Sequence, residues 1–128
     1  MWFSGNYGGS GNVVKNNIIV MSKKWWPCIR IEPGDTVDSD HNNFYTFNGA
    51  PIMMSLGDTS YHTIKDWRTA TGQDINSITG DPQLGSDGRL KSFHSPCVGT
   101  GKTLSDVTFD YFGTTRTEPY DIGAHAFK

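Results

Sequence analysis

Long apolar runs and blocks of positive charge are both missing from this chain of 128 residues. No stretch approaches the roughly 18 consecutive apolar residues that a membrane-spanning helix needs, so the sequence predicts no membrane span. Lysine and arginine number 11 against 13 acidic residues, and the only basic doublet, Lys23-Lys24, is typical of a solvated turn. Because phosphate backbones are bound by clustered basic side chains, the composition argues against nucleic acid as a partner.

The first residues also lack the features of a secretion signal. Residues 1–12 (MWFSGNYGGSGN) contain neither a charged segment nor an apolar core. Two interpretations stay open: a protein that remains in the cytoplasm, or a piece of a longer exported chain. The localisation is therefore not assigned from the sequence.

Cysteine is scarce as well. Cys28 and Cys97 are the only two in the chain. They would suit either one long-range disulfide or two buried thiols that pack as small apolar side chains, since spacing alone does not establish the geometry of a bridge.

The apolar share of 35% and the charged share of 19% are both low for a globular domain. Glycine, asparagine, threonine, serine and aspartate make up the difference, which favours turns and short strands over helical bundles. The length suits one domain, 1–128. We therefore predict an all-β domain that begins with a flexible lead-in, 1–11.

Short extended segments alternate with turns over the first half of the chain. Asn17 and Asn42 lie 25 positions apart, and each comes just before an apolar pair. A period of this size is typical of solenoids. Asparagine suits their turns because it tolerates left-handed backbone angles and its amide can bond to the neighbouring turns. The extended segments are NVVKNNIIVMS (12–22), CIRIE (28–32), TVDSDHNNFYTF (36–47) and PIMMSL (51–56).

Alternation within these segments predicts which side chains are buried. Val14, Ile18 and Val20 are predicted to share one face, with a bend at Asn17. In CIRIE the two isoleucines are predicted to point inward and Arg30 outward.

One helix and a long irregular tail complete the predicted domain. The helix is predicted over 58–72, with Asp58, Thr59 or Ser60 as its cap and Gly72 as its end. Tyr61, Ile64 and Trp67 form one apolar stripe along it. The tail, 73–128, is predicted to be a strap over the core, anchored by Leu84, Leu90, Val98, Leu104, Val107, Phe109, Ile122 and Phe127.

Several phrases in a fixed order carry a resemblance. They are KNNIIV (15–20), Ser39-Asp40-His41-Asn42, TATGQDINSITGDP (69–82), SPCVGTG (95–101), DYFGTTR (110–116) and DIGA (121–124). Together they resemble the last turns and the tail of bacterial right-handed parallel β-helix (pectate-lyase-like) proteins. The resemblance implies a short solenoid over 12–57, a helix and a C-terminal strap, in a family that is mostly exported. It departs from the family at Cys97, where alanine is usual.

The resemblance also leaves room for only two or three turns, whereas family members carry many. A solenoid this short would expose strand edges at its N-terminal end. We therefore expect a non-catalytic module that self-associates through that end, or the C-terminal piece of a longer ancestor. The alternative is a carbohydrate-active β-helix enzyme, a polysaccharide lyase or hydrolase, or a remnant of one.

No catalytic motif is complete. Hydrolysis of a glycosidic bond needs two carboxyl groups, which Glu32, Asp35, Asp38 and Asp40 could supply. Arg30 and His41, with the aspartates, are the candidates for lyase chemistry. Exposed carboxylates in turns are more often simply solvated.

Metal and nucleotide motifs are incomplete too. Asp38, Asp40 and Asn42 resemble the start of a calcium loop, but Asn43 stands where glycine is required; the other interpretation is that they cap a turn, and no other cofactor is predicted. GTGKT (99–103) resembles a P-loop, but Pro96 replaces its first glycine. The histidines, at 41, 62, 94 and 125, show no metal-ligand spacing.

Trp25 and Trp26 are the candidate ligand-binding residues. Adjacent side chains of an extended chain point to opposite sides, so one indole can be buried while the other is exposed. An exposed indole offers a flat apolar face with a polar edge, which suits a glycan or a protein partner. The alternative is that both pack, for example in a subunit contact.

Overall fold

The structure, a computed structural model, describes residues 2–3, 9–22, 26–46 and 54–127. These residues form short β-strands and one short helix, in agreement with the all-β class expected from the sequence. The strands are β1 (Trp2–Phe3), β2 (Asn12–Lys15), β3 (Ile18–Met21), β4 (Ile29–Ile31), β5 (Val37–Asp40), β6 (Asn43–Thr46), β7 (Met54–Leu56) and β8 (Thr59–Tyr61), and the helix is α1 (Ile64–Thr71).

The strands form three small sheets, of order β1-β4-β7-β8, β2-β5 and β3-β6. All pairs are parallel except β7 with β8. β2 pairs with β5 from Asn12 opposite Val37, and β3 pairs with β6 from Ile18 opposite Asn43. Both registers are offsets of 25 residues, which confirms the spacing predicted from Asn17 and Asn42.

The bends that separate β2 from β3 and β5 from β6 lie one residue earlier than predicted. Asn16 (φ 57°) and His41 (φ 54°) have left-handed backbone angles, whereas Asn17 and Asn42 do not. The Asn16 N–H donates to the His41 carbonyl at 3.0 Å, so the two bends are themselves joined. The predicted bonding between turns is confirmed at Asn42, whose amide contacts the neighbouring bend.

The main core lies between the three sheets. Ile29 and Ile31 are buried with Arg30 between them partly exposed, as predicted. Val14 is also buried, but Val20 is 39% exposed, so the prediction of a shared face is wrong there. The bend places β2 and β3 in different sheets, so the alternation of inward and outward side chains along β2 does not continue into β3. The core comprises Val14, Cys28, Ile29, Ile31, Val37, Phe44, Met54 and Trp67.

Helix α1 is shorter than predicted. The Thr63 hydroxyl accepts from the Asp66 N–H at 3.1 Å, and Gly72 (φ 68°) ends the helix. Residues Thr59–Tyr61 form β8 instead of the first helical turn, because a tight turn at Gly57 (φ 55°) returns the chain antiparallel to β7. The predicted stripe is retained, since Tyr61 packs edge-on against the fully buried Trp67, with 5.6 Å between ring centroids.

After the helix, residues 74–78 run beside β5 and β6. The Asp74 N–H donates to the Ser39 carbonyl at 2.8 Å, and the Ile78 N–H donates to the Asn42 carbonyl at 2.7 Å. We use the name strap for residues 73–127. It forms a second core around Leu90, Cys97 and Ile122, with Ile18, Ile78, Leu84, Val98 and Phe127 packed against it.

Two predicted strap anchors are wrong. Val107 is 43% exposed and Phe109 is 60% exposed. Phe109 bridges Thr115 in a hairpin-like turn, and the inward position of that turn is occupied by the buried carboxylate of Asp110. Polar capping therefore replaces apolar anchoring in this part of the strap.

Cys28 and Cys97 are both buried and form no disulfide, as the buried-thiol interpretation predicts. Within the predicted lead-in, Trp2–Phe3 pairs with β4, and the Gly9 N–H donates to the Asp35 carboxylate; residues 4–8 lie outside the described residues. No helix in the part of the chain that the structure describes is long and apolar enough to cross a membrane.

Candidate site at the N-terminal edge

Among the described residues, strands β1, β2 and β3 each pair on one side only. We call their unpaired sides the N-terminal edge. The sides to which the N–H and carbonyl groups of β2 point can be worked out from the hydrogen bonds of its paired strand, β5. The Ser39 N–H and carbonyl both bond to residues 73–74, away from β2. Because backbone groups alternate along a strand, Val14, which is paired with Ser39, faces β5, while Val13 and Lys15 direct theirs to the N-terminal edge.

The same reasoning applies to β3. The Phe44 N–H donates to the Ile78 carbonyl at 2.9 Å, on the side away from β3. Its register partner Ile19 therefore bonds toward β6. Ile18 and Val20 direct their N–H and carbonyl groups to the N-terminal edge.

Among the described residues no strand pairs with these backbone groups, although the Lys15 carbonyl accepts from the Asn17 side-chain amide at 2.8 Å. Apolar side chains accompany them. Val13 is 65% exposed, more than any other apolar side chain of β2 to β8, and Val20 is also exposed. Ile19 is half-buried, whereas its register partner Phe44 is fully buried. Within the described part of the chain, the N-terminal edge thus combines strand groups that pair with no other strand and incompletely covered apolar surface, a combination that favours pairing with another chain.

The side chain of Asn17 lies at the same edge. The Asn42 amide oxygen accepts from the Asn17 N–H at 3.0 Å and from its side-chain amide at 3.2 Å. The Asn42 amide nitrogen in turn donates to the Val14 carbonyl at 2.8 Å. The Asn17 amide oxygen accepts no hydrogen bond from any described residue, so this run of asparagine bonds ends with an acceptor that is free to take another donor.

The opposite side of β5 and β6 is closed by a buried polar cluster. Asp74 is 1% exposed, and its carboxylate accepts from the Ser39 and Ser77 hydroxyls at 2.8 and 2.7 Å. The Trp67 indole N–H donates to its second oxygen at 2.9 Å. Helix α1 and the strap are therefore joined to the strands through one carboxylate.

The predicted catalytic aspartates point outward from β5, and each already has partners. Asp38 lies 2.5 Å from the Lys15 ammonium. Asp40 accepts from the backbone and side-chain amides of Asn76 at 2.7 and 2.8 Å. Burial acts to raise the pKa of Asp40, but the hydrogen bonds from Asn76 and from the His41 backbone outweigh it and lower the pKa.

His41 and Arg30 are not brought together with these aspartates into one site. His41 Nδ1 lies 3.1 Å from an Asp40 oxygen, close enough for an ion pair but without the angles of a hydrogen bond. Arg30 is in a different sheet, where its guanidinium donates to Glu32 at 2.6 Å. That hydrogen bond raises the pKa of Arg30. The remaining candidate, Asp35, accepts from the Gly9 N–H at 2.9 Å.

The predicted calcium ligands diverge. Asp38 is exposed, while Asn42 is fully buried with its amide oxygen already bonded to Asn17. In the part of the chain that the structure describes, no group of three or more histidine, cysteine or acidic side chains is placed to hold a metal ion.

Of the two tryptophans, Trp25 lies outside the described residues. Trp26 is 59% exposed. Trp26 comes between β3 and β4 in the chain, and its exposure is compatible both with a ligand-binding indole and with a subunit contact.

The GTGKT turn (99–103) is occupied by the protein itself. The Gly99 N–H donates to the Asp121 carboxylate at 2.7 Å, and the Lys102 N–H donates to the Asn16 side chain at 2.7 Å. The backbone N–H groups that a P-loop would offer to phosphate thus hold the strap to the first bend.

Sequence reasoning missed Val13 and Val20 as site residues. The alternation predicts Val20 on one face with Val14 and Ile18, and it assigns Val13 no role. The signal available in the sequence was the pair Val13-Val14, because two adjacent valines in a strand cannot both face the core. Comparison of the chain with protein families, with curated proteins and with solved structures found no match in any of the three.

Proposed function

We propose that this chain is a short right-handed parallel β-helix of the pectate-lyase-like type that acts as a non-catalytic, self-associating module. The parallel pairs offset by 25 residues support the architecture, and the strap supports the comparison with the tail of that family. The single observation that carries self-association is the N-terminal edge, where Val13 and Val20 combine unpaired backbone groups with exposed apolar side chains.

The test removes one backbone donor from this edge. Val13→Pro deletes an N–H that bonds to none of the residues that the structure describes, so we expect the fold to be retained while edge pairing is weakened. Two lost hydrogen bonds per pair of chains, at about 1 kcal/mol each, correspond to roughly a 30-fold weaker association. Light scattering after size-exclusion chromatography measures the mass against the 14.2 kDa of one chain.

Val13→Thr is the matched control, because it keeps the N–H and the β-branched shape. We expect Val13→Thr to associate nearly as the unmodified chain does, and both variants to show its circular dichroism spectrum. An unmodified chain that stays at 14.2 kDa over the whole concentration range would overturn self-association.

Trp26 supports a second binding role, for a glycan. Its exposed indole face can stack on a sugar ring. Affinity electrophoresis in gels that contain polygalacturonate or a neutral glucan tests this role. We expect Trp26→Ala to abolish the retardation and Tyr111→Ala, which removes an aromatic ring that is 83% exposed on the strap, to leave it unchanged. Equal retardation of all three proteins contradicts the role of Trp26.

The alternative, a carbohydrate-active enzyme, has less support. Both oxygens of Asp40 accept hydrogen bonds from Asn76, and Asp38 is paired with Lys15, so neither carboxylate is unengaged. Turnover of a uronate polymer that is lost in Asp38→Ala or Asp40→Ala would favour this alternative over the binding module.

A further inference from the structure

We infer that the N-terminal edge pairs with the same edge of a second copy of this chain, about a two-fold axis that sets β2 antiparallel to the partner's β2. This inference rests on the proposed self-association and specifies its partner and geometry. It commits to a closed pair of chains rather than to an open filament, because a two-fold contact uses the same surface on both copies.

The N-terminal edge is inferred to meet the same edge of the second copy because the opposite side of the strands has no open strand to pair with it. Residues 74–78 already bond to β5 and β6, and Asp74, Ser77 and Trp67 close the interior behind them. The four-stranded sheet that begins with β1 ends on the opposite side with β8, a short strand whose Thr59 and Ser60 are exposed. A head-to-tail contact would therefore leave β2 and β3 facing a covered surface.

Strand β2, and not β3, is placed to meet its own copy. The strap follows β3 as far as the N-terminal edge, since the Gly123 N–H donates to the Asn16 carbonyl at 2.8 Å and Ile18 packs in the second core. Within β2, Val13 is more exposed than any apolar side chain of β3 to β8. Of β2 and β3, β2 therefore leaves more space for a close antiparallel approach.

The chemistry of β2 is self-complementary. Val13 directs both its N–H and its carbonyl to the edge, so two copies can exchange two hydrogen bonds across a two-fold axis at this residue. The only charged side chain of β2, Lys15, is neutralised by Asp38 at 2.5 Å. Like charges therefore do not oppose the approach of the second copy.

Cysteine cross-linking tests the geometry in the full chain. The native thiols of Cys28 and Cys97 are fully buried, so mild oxidation reports on an introduced surface thiol. Directly opposed residues of an antiparallel pair have Cα atoms about 5.5 Å apart, within reach of a disulfide. We expect most of Val13→Cys to form a covalent dimer, and its matched control Val20→Cys to remain uncross-linked because β3 does not meet its own copy.

The mass of the unmodified chain separates this inference from the proposed function. We expect the mass to rise with concentration and to stop at two chains. A monomer at every concentration overturns the proposed function itself. Self-association that continues beyond two chains, or a covalent dimer from Val20→Cys in place of Val13→Cys, overturns the two-fold pairing at β2 and leaves the proposed function standing.

Discussion

The strand region and the strap satisfy their backbone groups by different means. In β2 to β7 the N–H and carbonyl groups bond mainly to strands offset by 25 residues. In the strap, aspartate side chains take over. The Asp110 carboxylate accepts from the backbone of Phe112, Thr114 and Ala126, and the Asp121 carboxylate accepts from Gly99 and Phe127.

This difference explains why a segment with so little regular structure can be ordered. A buried N–H needs an acceptor, and a carboxylate with two oxygens can serve several N–H groups that have no strand to pair with. Arg116 does the converse, because its guanidinium donates to the carbonyls of Asp121 and Gly123. The short aspartate-rich and glycine-rich phrases of the strap are therefore capping devices.

The largest effect is expected from Asp74→Asn, because Asp74 is a strap residue whose carboxylate bonds to the strand region at Ser39. In either amide orientation a buried donor, the Trp67 indole or the Asn42 amide, would face another donor. We expect a loss of about 3 kcal/mol, or about 10 °C in Tm. Urea unfolding followed by tryptophan fluorescence measures it.

Two matched variants set the scale for this prediction. Asp121→Asn makes the same change within the strap, and we expect about 2 kcal/mol because only two donors, the backbone N–H groups of Gly99 and Phe127, bond to its carboxylate. Asp38→Asn, at an exposed position, is expected within about 0.5 kcal/mol. A larger loss from Asp121→Asn than from Asp74→Asn would make the strap, and not the strand region, the main source of stability.

A smaller effect is expected where the strap crosses itself. A Cβ at Gly101 would lie 2.8 Å from the backbone of Asp121, which cannot move aside as a side chain can. We expect Gly101→Ala to cost about 2 kcal/mol and to speed hydrogen exchange at Ile122 more than at Phe44. Exchange measured by NMR distinguishes loosening of the strap from global unfolding.

Gly9→Ala is the matched control in the strand region. Neither glycine has a left-handed backbone, and the nearest atoms to a Cβ at Gly9 are side-chain atoms at 3.4 Å. We expect its effect to stay within about 0.5 kcal/mol, since a tolerated alanine lowers the entropy of the unfolded chain. Equal losses from the two variants would contradict a close crossing at Gly101.

The sequence predicted the strand region better than the strap. The strand registers follow from a period that two asparagines and their apolar neighbours reveal, and Trp67 was identified from helical spacing. The bend at Asn16 and the exposed Val20 were missed because periodicity does not show where one sheet ends and the next begins. In the strap, Val107 and Phe109 were misassigned because apolar residues were taken as anchors, whereas buried Asp110 holds that turn. An open N-terminal edge was predicted from the resemblance, but the presence of Val13 and Val20 on it follows from the strand registers, which periodicity does not show.

The smallest predicted effect is a response to acid in each region. Burial acts to raise the pKa of Asp110, but hydrogen bonds from the backbone of Ala126, Thr114 and Phe112, with the charge of His125, lower it; Asp40 also has a lowered pKa. A carboxylate whose pKa is lower in the folded chain stabilises the fold above its unfolded pKa, near 4, and this contribution is lost as the pH falls through the folded value. We expect urea unfolding to show constant stability between about pH 5 and 7 and a decline below that range.

Asp110→Asn and Asp40→Asn should each be less stable than the unmodified chain at pH 6 and should lose less stability on acidification. Hydrogen exchange should locate the change to Ala126 in the first variant and to Asn76 in the second. An acid response that neither variant reduces would assign it to other carboxylates.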